Sequence, residues 1–130
     1  MPQANVDLVL SVFEGWRLGD FSGAEAFDPE VQFEMPDWPH PVSSRGLPEM
    51  RNAWVSTLSA WESFRAEAGK VIEVGDQVVV LTRIVGRGQG SGAEVTAETA
   101  TVWTIGAGKV VRLALYWDRA LAFEALGLRE

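Results

Sequence analysis

The stretch from Lys70 to the end of the chain constrains the fold most. It reads VIEV, DQVVVLTRIVGRG, AEVTAETATVWTI and GKVVRLALYWDRALAFEALGL. Three long strand-like segments follow one another across glycine-rich turns, and a short helix closes the chain. Ahead of them lies a helix-rich half carrying Trp16, Trp38, Trp54 and Trp61, four of the six tryptophans. Helices first and a long antiparallel sheet afterwards predict an α+β fold. Tryptophan-rich helices over a sheet point to a hydrophobic pocket.

At 130 residues the chain is expected to form one domain, residues 1–130. A chain of this mass should expose roughly 6,800 Å² when folded against about 20,600 Å² unfolded, so a core forms without disulfides or metal. There are no cysteines, which removes disulfides and thiol chemistry and is compatible with a cytoplasmic location. The opening MPQANVDLVL lacks the pattern of a signal peptide. No apolar run approaches the length of a membrane span, so no membrane partner is expected. The net charge of −7, without a basic run, argues against a nucleic-acid partner.

Before Lys70 the pattern is mixed. Val6, Val9, Leu10, Phe13 and Trp16 recur at helical spacing, which predicts a helix over 5–18 with Asn5 as N-cap. A second, short helix is expected over 21–27, ended by Pro29. The alternation Val31-Gln32-Phe33-Glu34-Met35 indicates a half-buried strand, and the four prolines of 36–48 indicate a loop. Pro48 and Glu49 suit the first turn of a third helix, whose apolar face runs Met50, Trp54, Leu58, Trp61. That face is either core or cavity lining. Gly86-Arg87-Gly88-Gln89-Gly90-Ser91-Gly92 lacks the Lys-Ser/Thr ending of a phosphate loop and reads as a hairpin tip.

The later strands are apolar on both faces, as in Val78 to Leu81 and Leu113-Ala114-Leu115. A sheet with one solvated face would alternate. The helices cover one face, so a second copy of the chain is the expected cover of the other. A homodimer with Trp103 at or near its interface follows.

The layout, the close GKVVRLALYWDRALAFEALGL and the hairpin GRGQGSG resemble the nuclear transport factor 2-like superfamily, and within it the SnoaL-like branch. The resemblance covers nearly the whole chain. It implies a cone: three N-terminal helices in the concave face of a strongly bent, mostly antiparallel sheet, with a short C-terminal helix and a deep pocket at the open end. Its members include cyclases, isomerases, epoxide hydrolases, dehydratases and non-catalytic binders, so fold does not choose the activity.

The resemblance also implies where catalytic acids would sit. Here those places hold Met35, Ala100 and Leu115, and the place of a first-helix tyrosine holds Val12. All are apolar, which disfavours a steroid isomerase mechanism. A one-residue slip in strand register would change the faces. By the same comparison Glu98 shares an inward face with Ala100 and Val102. There a raised pKa would let it act as general acid or base. Arg83 could orient it from the neighbouring strand. Asp37 and His40, in a loop near the cone mouth, form a second possible acid–base pair. Each has a plainer alternative: a solvated rim carboxylate, a surface arginine, an exposed loop histidine. A single histidine argues against a metal site. Asp118 reads as the N-cap of the last helix.

The family arrangement makes Trp16, Phe33, Met35, Trp54, Leu113, Leu115 and Trp117 converge, so these are the expected ligand-binding residues. Three functions stay open. The first is binding of a small hydrophobic molecule, without cofactor or metal. The second is a cyclase, isomerase or hydratase/hydrolase using Glu98 or Asp37 with His40. The third is a dimeric scaffold.

Overall fold

A computed structural model describes residues 2–127. The elements are α1 (Pro2–Trp16), β1 (Phe27–Met35), β2 (Val42–Arg45), α2 (Leu47–Leu58), β3 (Trp61–Val74), β4 (Gln77–Gly88), β5 (Glu94–Gly106), β6 (Lys109–Tyr116) and α3 (Arg119–Ala125). The six strands form one strongly curved sheet in the order β2-β1-β6-β5-β4-β3. The β1–β6 pair is parallel and the other pairs are antiparallel. α1 and α2 lie on one side, giving the α+β cone that the sequence suggests.

The helical half departs from expectation in instructive ways. α1 begins at Pro2, so Asn5 lies inside it and is no cap. Two helices precede the later sheet instead of three, because 21–27 is not helical. Phe21 is anchored against Trp16 and Trp54, at ring centroid distances of 5.3 and 4.5 Å. The Asp20 carboxylate accepts from the Ser22 amide and hydroxyl, a local turn that competes with a helix. Pro29 stops no helix. It sits inside β1, in the irregular stretch between the Phe27 and Gln32 pairings with β6, a place where a strand tolerates proline.

The proline-rich loop also contains β2, a four-residue strand at the sheet's edge. Trp61 is not the last residue of the α2 face but the first of β3, which starts nine residues before Lys70. Phe64 and Ala66 from this early part turn into the core. Gly86 makes room for Trp61: a Cβ there would lie 2.7 Å from a Trp61 ring atom. The β5–β6 hairpin turns through Ala107 (φ 51°) and Gly108 (φ 78°), two positive-φ residues that suit the strand twist.

Strand parity sorts the apolar residues into two clusters. Val78, Val80, Ile84, Trp103, Ile105, Leu113 and Leu115 face the helices. Val79, Ala100, Val102 and Ala114 face the other way, where Ala122 of α3 covers them. Asp118 caps α3 by accepting from the Ala120 amide. Trp103 therefore corrects an expectation. It is fully buried in the concave core, 5.2 Å from the Trp16 ring, and so cannot contribute to an outer interface.

Candidate functional site

The residues expected to line the pocket do converge, but six of the seven fill the space instead of surrounding it. Trp16, Phe33, Met35, Trp54, Leu113 and Leu115 are all buried in one cluster. Trp16 lies 5.4 Å from Trp54 and 5.2 Å from Trp103, and Phe33 lies 5.4 Å from Trp54. These spacings are those of packed aromatic pairs. The interior also lacks buried acid. Among the described residues, the buried polar side chains are Thr82, Thr99 and Thr101. The Trp103 indole donates to the Thr101 hydroxyl at 2.7 Å, and Thr101 lies 3.2 Å from Thr82.

The seventh residue, Trp117, leads to the cavity. Because β1 and β6 run parallel and the next strands alternate, β1 and β6 end, and β3 begins, at the same rim of the sheet. That topology gathers Trp38 just after β1, Trp61 at the start of β3 and Trp117 just after β6. With Thr57 near the end of α2 and His40 they line a cavity of about 380 Å³. The Trp38 and Trp117 rings meet edge to face at 4.9 Å and 79°. Another hollow, of about 320 Å³, lies between α2 and the 19–24 loop, with Phe21, Met50, Arg51, Trp54 and the exposed Val55 on its wall. The rim cavity is the better candidate, since it joins aromatic walls to several hydrogen-bonding groups.

Asp37 builds this rim. One carboxylate oxygen accepts from the Trp117 amide and the other from the Asp118 amide, each at 2.8 Å. The clamp ties the loop after β1 to the end of β6 and holds Trp38 against Trp117. Its carboxylate is thus bound to backbone, and no hydrogen bond joins it to His40 among the described residues. His40 is exposed on the cavity wall.

The remaining polar candidates lie elsewhere. Glu98 does not look into the cone. It shares a face with Ala100 and Val102, which is the outer face, and its carboxylate pairs with Arg119 at 2.9 Å. Its side chain is 60% exposed. One register step explains the difference: odd-numbered β5 residues face inward, so Thr99 and Thr101 hold the inward places beside Ala100. Arg83 stands opposite Glu98 in the ladder and is exposed, while Arg119 takes the ion pair. Arg112 on the outer face pairs with Glu34. Asp20 has a perturbed carboxyl. It is held below its ordinary value by the hydrogen bonds from Ser22. No cluster of three metal-ligating side chains occurs among the described residues, nor does a helix there have the length and apolarity to cross a membrane.

Sequence reasoning missed Trp38 and Thr57 as cavity residues, and offered Trp61 as core or cavity lining but on a helix, where the structure has the first residue of β3. A signal existed for Trp38: a tryptophan between Asp37 and Pro39 in a polar loop is costly to leave in water.

Comparison with solved structures finds the same fold repeatedly. TerC, crystallised with polyporic acid, matches with a TM-score of 0.78 at 23% identity, over 95% of this chain and 97% of its own. A nuclear transport factor 2-like protein of unknown function from Burkholderia pseudomallei gives 0.78 at 21%, over 93% and 95%. A candidate SnoaL-like polyketide cyclase from Jannaschia gives 0.78 at 18%, over 99% and 95%. At these identities the likeness is one of fold. No curated protein matches the sequence. The SnoaL-like domain profile, however, matches residues 9–113, most of the chain. Profile, helix placement and sheet order agree, and this protein belongs to the SnoaL-like family of the nuclear transport factor 2-like superfamily.

Proposed function

We propose that the protein binds a small hydrophobic molecule in the rim cavity between Trp38, Trp61 and Trp117. The observation that carries this reading is the cavity itself: about 380 Å³, walled by three tryptophans from three separate stretches of the chain. Aromatic walls around a hollow of this size suit a flat apolar ligand. The family supports small-molecule binding or cyclase-type chemistry. The crystallisation of TerC with polyporic acid is a parallel in a protein of the same fold. Titration with 8-anilinonaphthalene-1-sulfonate tests the reading. Trp61→Ala and Trp117→Ala should each weaken the probe's binding, and unchanged binding in both would reject it.

A second reading has one observation behind it. His40 is the single titratable side chain on the wall of this cavity. If a bound molecule is also turned over, His40 is the group placed to move a proton. Glu98 and Arg83 would need a separate site on the outer face. His40→Gln should then abolish turnover and leave probe binding intact.

We also propose a homodimer through the outer face. α3 covers its centre, and Ile72, Leu81 and Tyr116 remain partly exposed around it. Light scattering that shows a stable monomer at micromolar concentration would remove this part of the reading.

A further inference from the structure

Trp38, one of the cavity-wall residues, carries a hydrogen-bond donor with nothing to bond. Trp38 is only 7% exposed, and its indole nitrogen is buried without a partner. It is the sole such side-chain atom among the described residues. The contrast with Trp103 is direct, since that indole, also buried, donates to Thr101 at 2.7 Å. A second donor on the same wall is underused. The Thr57 hydroxyl reaches only the Met35 sulfur, at 3.7 Å. A thioether is a weak acceptor. The other side chains of the wall offer no carboxylate. The wall therefore carries an unpaired indole donor and no carboxylate to meet it.

We propose that Trp38 Nε1–H, assisted by the Thr57 hydroxyl, is the specificity-determining donor of this cavity, and that its ligand is an apolar molecule bearing an acceptor oxygen. The inference rests on the binding reading above. The indole nitrogen is sealed from solvent, so the ligand must displace side chains packed on Trp38 to reach it. A hydrogen bond to the ligand removes the cost of leaving this buried donor unmade. Leaving the donor unmatched penalises a purely hydrocarbon ligand in the same site, so discrimination arises from the protein's own unmet group.

Two probes of nearly equal shape test this: 2-acetylnaphthalene, with a carbonyl oxygen, and 2-isopropenylnaphthalene, with a methylene in its place. They are titrated into ¹⁵N-labelled protein with its indole N–H resonances assigned. Both should shift the Trp61 and Trp117 indole signals, which report binding alone. Only the carbonyl probe should move the Trp38 indole signal downfield, and it should bind about fivefold to tenfold more tightly, as one net hydrogen bond allows. Trp38→Phe keeps a ring and removes the donor, so the two affinities should converge there. Thr57→Val should narrow the gap in part. Equal movement of the Trp38 signal with both probes, or a preference that survives Trp38→Phe, overturns the proposal while the binding reading stands. Should Trp38→Phe fail to fold, the wild-type spectra decide by themselves. If neither probe shifts Trp61 or Trp117, the binding reading falls and takes this inference with it.

Discussion

The cone interior and its rim are built from the same kind of residue and behave oppositely. In the interior Trp16, Trp54 and Trp103 lie against one another and against Phe13, Phe21 and Phe33 until the space is filled. At the rim Trp38, Trp61 and Trp117 surround a hollow. The interior tryptophans come from helices and strands whose faces oppose each other across the concave side. The rim tryptophans come from element ends, where the backbone diverges and no facing layer arrives to fill the gap. A tryptophan count thus says nothing about cavity or core. What decides it is whether packed layers close over the ring, as they do over Trp16 although it ends α1.

The sharpest way to break that comparison is to truncate one tryptophan from each region. Trp103→Ala should cost roughly 3–5 kcal/mol, since it removes a fully packed ring and leaves Thr101 without its donor. Denaturant unfolding measures this, and a loss below about 1 kcal/mol would mean that the interior is not packed as described.

The Asp37 clamp comes next. Asp37→Ala leaves the Trp117 and Asp118 amides without their acceptor. It should cost about 1–3 kcal/mol and loosen the cavity. Slower hydrogen exchange at the Trp117 amide in the wild type than in the variant checks it. Equal exchange would show that the carboxylate does not hold the rim.

Trp117→Ala should cost less stability than Trp103→Ala, about 1–2 kcal/mol, because its ring is only half-buried. Its main effect should be on ligand binding. Should its unfolding penalty match that of Trp103→Ala, the rim would be core after all.

The smallest expected effect is that of Glu98→Gln. An exposed surface pair contributes little, so stability should move by no more than about 0.5 kcal/mol and probe binding should not move. A clear loss of binding would bring the outer face into the site.

Much of the fold was legible beforehand, and the misses share a cause. The three late strands, the α3 cap at Asp118 and the β5–β6 turn followed from alternation, capping chemistry and glycine spacing, which are local. The inward face of β6, with Leu113, Leu115 and Trp117, was also read correctly. The face of β5 was read one residue out, which turned Glu98 and Ala100 inward and Trp103 outward. The two carboxylates of β5, Glu94 and Glu98, both fall on its even-numbered face, a signal of the outward side that the likeness to the relatives' acid positions outweighed. Pairing to β6, where Trp103 stands opposite Leu113, fixes the parity.

By itself the sequence determined which segments are helix or strand where local preference is strong, that Met35 and Leu115 bring no carboxylate inside, and that thiol chemistry is absent. Tertiary structure alone decided that six of the seven expected pocket residues are buried in one cluster, that Phe21 is held by two aromatic rings in a segment that is not helical, and that Asp37 serves the backbone and not His40. It alone gathered Trp38, Trp61 and Trp117 from positions far apart in the chain. The physical reason is range. Backbone propensity and capping act over a few residues and can be read in order. Cavities and hydrogen-bond partners depend on which surfaces meet, and that is settled only when every strand has found its neighbour.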